Sequence, residues 1–541
     1  MADLITGEIR TTRESEAASA ARPSDLDVLV VGAGPTGLLT AVELLRRGIR
    51  VRVIDRAAEP MLTPKALSVW PRALDILEDT GLGEVVNEES VRINTLSYFS
   101  ERRPLASFGF SDDLACRTLP QHVTERLLTE RLHELGGKIE RGVRLLALDG
   151  VDYSGRIEAT DGVTAVLETP EGLERVRAPF VVGADGAGSA VRGQLGIGFE
   201  GSTYEMAFAL VDARIEGYLP PDECHFYQSA NGALVIVPIP GGIFRFLSVM
   251  PQGNGEVDAT MMQALIDERG PRGVRIKEAV WKAVFRVHAR RATEFQRGRV
   301  FLAGDAAHVH SPAGGQGMNN GLQDAHNLAW KLAAVIRGES PSSLLASYGT
   351  ERSEVTRQIV RDTDLQTKAW VAKAKATVAA RDAAFRLLDR TGIVSEFYAP
   401  VMAGRRLSYP ATRDSQQPSG WTGCRVRRAL PGALEVGAVF PRRLALAYGI
   451  SGTAADPHGW HLAVVSDGSR DWEQELGHVV AKWPLLRQVT LRRRDAAAQA
   501  GCRAAGYYLI RPDGHIAAHG HARDLGRLES ELRISFSRTG S

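Results

Sequence analysis

The chain has 541 residues, of which 44% are hydrophobic and 24% charged, and its formal net charge is +2. That is an ordinary globular balance in a chain long enough for two or three cores, with no block of like charge to suit nucleic acid and no apolar run of the ~18 residues a bilayer span needs. Four scattered cysteines (Cys116, Cys224, Cys424 and Cys502) with no CxxC pair argue against a disulfide framework and a cysteine zinc site, and predict a cytoplasmic protein.

Residues 1–23 are polar and charged without an apolar h-region, which predicts a flexible arm rather than a secretory signal. The stretch DVLVVGAGPTGLLTAVELLRRGIRVRVIDR at 27–56 then reads as strand, turn, helix, strand. Val28–Val31 is a short β-branched run suited to a central parallel strand. Gly32, Gly34 and Gly37 follow in GxGxxG order around Ala33, Pro35 and Thr36. The first glycine permits the tight turn, the second lets backbone approach a pyrophosphate, and the third lets helix pack on strand. A helix over 38–47 offers its N-terminus to phosphate, and a second strand at 51–54 runs into Asp55 and Arg56, where a carboxylate takes ribose hydroxyls. This fingerprint alone does not separate NAD from FAD.

Further along, 95–112 and 199–282 hold alternating, strand-like runs such as MAFALVDARIEG and GALVIVPIPGGIFRFLSVM. Between them, PFVVGADGAGSAVR at 179–192 reads as another strand feeding a Gly/Asp turn. A third such unit, RVFLAGDAAHVHSPAGGQGMNNGLQDAHNLAWKLA at 299–333, ends its strand at Gly304-Asp305. Its glycine loop (Pro312, Gly314, Gly315, Gln316, Gly317) opens a long helix through Met318 and Asn319. A chain that returns to one nucleotide so late holds an extended cofactor. FAD fits, with Asp305 accepting from the ribityl chain and the helix N-terminus beside the flavin ring. His308 and His310 form an HxH, but no third ligand is evident, so no metal is expected. Residues 391–420 are Gly-, Pro- and Arg-rich and predict a linker. The segment 421–541 carries short strands with DG turns, in WHLAVVSDGS and GYYLIRPDGHIAAHG.

The set GAGPTG, GADGAGSAVR and GDAAHVHSPAGGQGMNNGLQDAHNLAWKLA closely resembles the group A flavoprotein aromatic monooxygenases, in particular the aromatic-polyketide hydroxylases and, more distantly, the phenol hydroxylases. The resemblance is strong over 27–352 and looser beyond. It implies an α/β fold: a discontinuous Rossmann-like FAD-binding domain (24–94, 113–198 and 283–390), an inserted mixed β-sheet substrate domain (95–112 and 199–282) that roofs the substrate cavity, and a C-terminal thioredoxin-like domain (421–541). It also implies that Asp185 serves FAD and NADPH contact and that Gln121 contacts the cofactor. Lys65 stands where the family often has arginine, keeping the charge without the bidentate fork. The tail lacks CxxC, so a structural or oligomeric role is expected, in a monomer or homodimer.

The implied chemistry is reduction of FAD by NADPH or NADH, addition of O2 at flavin C4a, and hydroxylation of a polycyclic phenolic substrate by the resulting (hydro)peroxide, or Baeyer–Villiger oxidation of a ketone. A reductase or oxidase without oxygen transfer is the alternative, and a flavin-binding protein without turnover a third. In the sheet, His225, Tyr227 and Arg245 are catalytic candidates, the first two as acceptors of a phenol proton. Phe226, Gln228, Phe244, Phe246 and Trp281 are substrate-facing candidates, and alternation predicts that Phe244 and Phe246 share one face while Arg245 points to the other.

Overall fold

A computed structural model describes residues 26–62, 66–154, 156–229, 231–250, 256–370, 374–410, 434–450, 459–466, 468, 470–500, 505–522 and 525–536. Along the chain run β1 (Val28–Val31), α1 (Pro35–Leu45), β2 (Val51–Asp55), α2 (Pro71–Asp79), β3 (Thr95–Ser100), β4 (Arg103–Gly109), α3 (Gln121–Glu134), β5 (Ile139–Arg141) and β6 (Phe180–Gly183). Then come β7 (Phe199–Glu216), β8 (Glu223–Ser229), β9 (Gly232–Ile239), β10 (Ile243–Val249), α4 (Ala259–Arg269), β11 (Arg275–Ala292), β12 (Val300–Leu302), α5 (Gly317–Ile336), α6 (Ala346–Trp370) and α7 (Lys375–Thr391). The C-terminal part holds β13 (Trp460–Val465), α8 (Arg470–Val480), β14 (Leu486–Leu491), β15 (Gly506–Ile510), β16 (Ile516–His521) and α9 (Leu525–Ser535).

The first sheet runs Gln296–Arg297, β12, β6, β1, β2, β5, parallel apart from its first strand. All four residues of β1 are buried, as a strand with helices on both faces requires. Helix α1 starts earlier than the spacing suggested, at Pro35. Proline has no N–H to leave unsatisfied in a first turn, and its fixed φ suits that position. Helix α5 is buried from Asn319 to Ala334 on nearly every side, and packs on α1 through the middle of the molecule.

A second, mixed sheet runs His308–Val309, β11, β7, β10, β9, β8, β3, β4. Strands β7 and β11 are 18 residues each and antiparallel, with three register shifts that bend them as they leave the first sheet. The sheet therefore does not stop at residue 282: β11 continues to Ala292, where it pairs with Phe199. The predicted linker also changes character. Within 391–410, Val394, Ala399, Met402, Leu407 and Tyr409 are buried, so this stretch is part of the core. Residues 411–433, with Cys424, lie outside the described residues.

The C-terminal sheet has the order β14, β13, β15, β16, with β13 parallel to β14 and antiparallel to β15. This βαβ unit followed by a hairpin and helix is a thioredoxin-like topology. Both faces are covered, by a cluster around Trp460, Trp472, Leu476, Tyr507 and Leu528 and by another around Leu444, Val465, Tyr508 and Ile510. Trp330 of α5 enters the first cluster and meets Trp460 edge-on at 5.7 Å, so the C-terminal domain is seated on α5. Among the described residues no helix is long and apolar enough to cross a membrane.

Candidate functional site

The three glycines of the first turn have distinct surroundings. A Cβ on Gly32 would lie 2.3 Å from the Ala184 carbonyl oxygen, and one on Gly37 1.9 Å from that of Gly32, so both positions are closed by backbone. A Cβ on Gly34 would meet nothing within 4 Å. The second glycine thus leaves room beside the N-terminus of α1, which has no side-chain cap and no acidic residue in its first turn. Asp55 reaches back to this turn, its Oδ2 accepting from Ala33 N–H at 2.6 Å and its Oδ1 from Ala57 N–H at 2.8 Å. Arg56 is exposed beside it.

The late strand does return to the first turn. Thr36 Oγ1 sits 2.5 Å from where a Cβ on Gly304 would be and 2.3 Å from one on Gly321, so the Gly304–Ala306 turn and α5 rest directly on the first turn of α1. Gly304 has φ +60°, and Asp305 projects from the turn to the surface. Gly304→Ala therefore combines backbone strain with overpacking. It is expected to cost about 1–3 kcal/mol, read as a lowered Tm, whereas an unchanged Tm would contradict the packing.

The glycine loop is clamped from two sides. Gly314 and Gly315 have φ +75° and +62°. Trp70 Nε1 donates to Gly314 O at 2.8 Å, and Trp70 N–H to Asn319 Oδ1 at 2.7 Å. Asn319 Nδ2 donates to Ser68 O and Gly315 O, and Gln316 Nε2 to Met402 O at 3.0 Å. Pro312, Gly317 and Met318 are half-buried at the start of α5, whose N-terminus also lacks a side-chain cap and an early acid. Gln121 at the start of α3 accepts from Ala66 N–H at 3.2 Å, which ties down the segment leading to Trp70. Lys65 lies outside the described residues. Asp185 accepts from Ser189 Oγ and from the N–H groups of Ala190 and Val191, and so holds the helix after its turn.

Behind the loop, His308 is committed to a buried ion cluster. Its Nε2 lies 2.6 Å from Asp324 Oδ2, which also accepts from Gly304 N–H at 2.9 Å, while Asp324 Oδ1 accepts from Arg352 Nε at 2.6 Å. His310 Nδ1 pairs with Ser311 O instead, at 3.0 Å. The cluster continues into the C-terminal domain. Arg352 reaches Tyr409, which stacks on His515 at 4.1 Å; His515 faces Asp513; and Arg511 bridges Asp513 and Glu351, which takes Lys331 at 2.7 Å. Burial pushes the Glu351 carboxyl up, but Arg511 and Lys331 outweigh it and hold it at about 2; burial brings the Lys331 ammonium down to about 8.

Burial also lowers His310 and His515 to about 4, against an ordinary value near 6.5. As pH falls from 6.5 the unfolded chain takes up these protons before the folded one does. Stability is therefore independent of these groups above pH 6.5, and is lost between 6.5 and about 4 on the order of a few kcal/mol. Melting at stepped pH should show this fall, reduced in His515→Gln. A Tm flat across that window would contradict it.

The two faces of the second sheet differ. One face carries Tyr227, Leu234, Ile236, Phe244 and Phe246, packed under α4 against Met262, Leu265 and Ile266. His225 shares this face, beside Phe99 and Tyr227, with its Nε2 3.0 Å from Glu223. Burial raises the Tyr227 phenol to about 12 and lowers His225 against the opposing pull of Glu223. The other face meets the glycine loop, with Ala233, Val235, Phe226 and Leu247 clustering with Ala313 and Trp370. Phe226, Val237 and Leu247 there are half-buried, unlike their neighbours under α4. The candidate proton acceptors His225 and Tyr227 and the substrate-facing candidates Phe244 and Phe246 thus lie on the side that α4 covers. Alternation separated them from Arg245 as expected, but α4 covers their side.

Phe226, Gln228, Arg245 and Trp281 occupy the loop-facing side. Arg245 forms a buried bidentate pair with Asp212, at 2.7 and 2.8 Å, and lies over Trp281 at 5.4 Å. It is one of the charges that lower His122 on α3, after burial and Arg126. Missed by the sequence reading are Tyr98, stacked on Phe226 at 4.7 Å, Phe385 at 4.8 Å from Tyr98, and Trp370 at 5.8 Å from Phe226. The alternation in TLSYFS was the available signal for Tyr98; nothing local marked the helical Trp370 and Phe385. An open cavity of about 520 Å³ elsewhere, lined by Glu158, Phe295, Ser342 and Thr350 among others, contains none of the residues named from the sequence.

Residues 25–363 match the family model described as FAD binding domain. The chain is 33% identical to 6-methylpretetramide 4-monooxygenase of Streptomyces rimosus, over 94% of this chain and 93% of that protein. It is 35% identical to pentachlorophenol 4-monooxygenase of Sphingobium chlorophenolicum, over 63% of this chain and 64% of that protein. Among solved structures, anhydrotetracycline hydroxylase from Streptomyces rimosus superposes with a TM-score of 0.72 at 28% identity, covering 94% of this chain and 99% of that one. A ternary complex of aklavinone-11 hydroxylase with FAD and aklavinone gives 0.73 at 26% identity, covering 95% and 99%.

Proposed function

We propose, for a chain that belongs to the FAD binding domain family and is an FAD-dependent aromatic monooxygenase, that it uses NADPH or NADH and O2 to hydroxylate a polycyclic phenolic substrate of the aromatic-polyketide kind. The observation that carries the cofactor assignment is the packing of Gly304 and Gly321 on Thr36, which joins the early and late turns into one continuous surface. The open side of Gly34 and the uncapped N-terminus of α1 suit a pyrophosphate, Asp55 a ribose, Asp305 a ribityl chain, and the Pro312–Gly317 loop the edge of a flavin ring. The donor set fits FAD. When bound, that group supplies reduction by NAD(P)H and activation of O2.

The chain's own part is positioning and exclusion of water. Trp70 and Asn319 hold the loop backbone, so its N–H groups keep their direction, and the Met402 carbonyl holds the Gln316 side chain. The N-terminus of α5 offers unpaired N–H groups and the positive end of its dipole to developing negative charge. Phe226, Tyr98, Trp370 and Phe385 form an aromatic wall on the loop-facing side of the sheet, suited to stacking a planar polycyclic ring. The relatives named for tetracycline-type and aklavinone substrates support that ligand class.

Asp305→Ala is expected to weaken FAD by about 1–3 kcal/mol, through loss of a hydroxyl acceptor. The variant should leave gel filtration with less flavin per chain than the parent. Equal FAD content and equal affinity would remove Asp305 from the site.

A further inference from the structure

We propose that Gln228 is the specificity-determining residue of the substrate site, selecting ligands that present a hydroxyl or carbonyl oxygen at one edge of the ring system. The inference rests on the loop-facing side of the sheet being the substrate side. Gln228 is 2% exposed, yet neither its Nε2 nor its Oε1 has a hydrogen-bond partner among the described residues. A buried primary amide without partners is costly, and such groups are uncommon in folded chains.

Its position explains what the amide is for. On β8 it follows Phe226 by two residues, so both side chains leave the same face, about 7 Å apart along the strand. Its cross-strand neighbours are Ser100 and Ala233, and Ala233 belongs to the cluster with Ala313 of the glycine loop and Trp370. Around it Phe226, Tyr98, Val235 and Trp370 bring no hydrogen-bonding group into those clusters other than the Tyr98 hydroxyl and the Trp370 indole N–H, while the neighbouring Ser100 hydroxyl accepts from Arg381 at 3.5 Å, a guanidinium that pairs with Asp382. The charged pair on the same face, Arg245 and Asp212, makes its own bidentate contact.

A planar ring stacked at Phe226 would therefore bring one edge to an amide that both donates and accepts. That amide matches a phenolic hydroxyl, or a hydroxyl beside a ketone, and not a bare hydrocarbon edge.

The test titrates 2-naphthol and naphthalene into the FAD-loaded enzyme and into Gln228→Leu and Gln228→Met, following the visible flavin spectrum, with Tm measured on each ligand-free protein. The parent is expected to bind 2-naphthol at least ~10-fold tighter than naphthalene. Both variants should lose that preference while keeping their FAD, with Tm unchanged or raised, because an unpartnered amide is replaced by apolar volume. A preference that survives in both variants, or that is absent from the parent, would overturn the role of Gln228 and leave the substrate side standing. Failure of both variants to fold would also overturn it, since it would reveal a structural partner for the amide. No spectral change with either ring in the parent would overturn the substrate side itself, and the Gln228 assignment with it.

Discussion

Asp324→Ala is expected to destabilise the protein by about 3–5 kcal/mol and to strip it of FAD. The carboxylate is fully buried and serves three donors at once: Gly304 N–H, His308 Nε2 and Arg352 Nε. Burial alone would push its pKa up, but Arg352 and His308 outweigh that and hold it below the ordinary range, so it is ionised at neutral pH. Its removal leaves the Arg352 guanidinium, itself 0% exposed, with Asn320 and the Tyr409 hydroxyl but no counter-charge from Asp324. A total stability of roughly 5–15 kcal/mol makes that a severe loss. The effect on cofactor follows from Gly304, whose N–H loses its acceptor at the turn that carries Asp305. Asp324→Asn separates the two consequences, because its amide oxygen can still accept from Gly304 while the charge is gone. Chemical denaturation and the flavin-to-protein ratio read them independently. A cost below ~1 kcal/mol for the alanine variant would show that the cluster is not a supporting element of the site.

Arg511→Ala is expected to cost a similar ~3–5 kcal/mol, although it lies in the C-terminal domain. The guanidinium is bonded to Glu351 at 2.7 and 3.0 Å and to Asp513, and both carboxylates are buried. Without it Glu351 retains Lys331, whereas Asp513 keeps the Asn327 amide and His515 but, among the described residues, no other cation, and burial opposes the protonation of His515. Because Arg511 and Glu351 act as one unit, the double variant Arg511→Ala/Glu351→Ala should cost less than the sum of the single ones, by about 0.5–3 kcal/mol. Strict additivity in denaturant unfolding would mean that the pair does not hold the domain to α5 and α6. The C-terminal domain, with no CxxC in its sequence, thus contributes structure: it supplies the counter-charges for side chains that otherwise sit behind the glycine loop.

Much of the first sheet was legible because its constraints are local. The run VLVV is hydrophobic without alternation, since a central parallel strand is covered on both faces, and the glycines after it answer to contacts within a few residues or to one neighbouring strand. The second sheet was half legible. Period-two alternation assigns Phe244 and Phe246 to one side and Arg245 to the other, but it cannot say which side faces the loop. That is decided by α4, which covers one face, and by Trp370 and Phe385, which arrive from helices far along the chain. The ion cluster was invisible for the same reason. His308, Asp324, Arg352, Glu351 and Arg511 are ordinary charges until the fold brings them together away from water. The apparent linker failed differently: composition marked 391–420 as a connection, while in its described part, 391–410, tertiary packing put Met402 and Tyr409 into the core.

The proposed activity couples NAD(P)H oxidation to oxygen insertion into an aromatic ring. The measurement that tests it most directly supplies the FAD-loaded enzyme with NADPH and ¹⁸O2 in the presence of a panel of hydroxylated polycyclic aromatics, and follows NADPH consumption together with the mass of the product. At least one phenol is expected to accelerate NADPH oxidation and to leave the reaction carrying one ¹⁸O atom for each NADPH consumed. NADPH oxidation that returns only hydrogen peroxide with every ligand, or a product reduced without gaining oxygen, would contradict it.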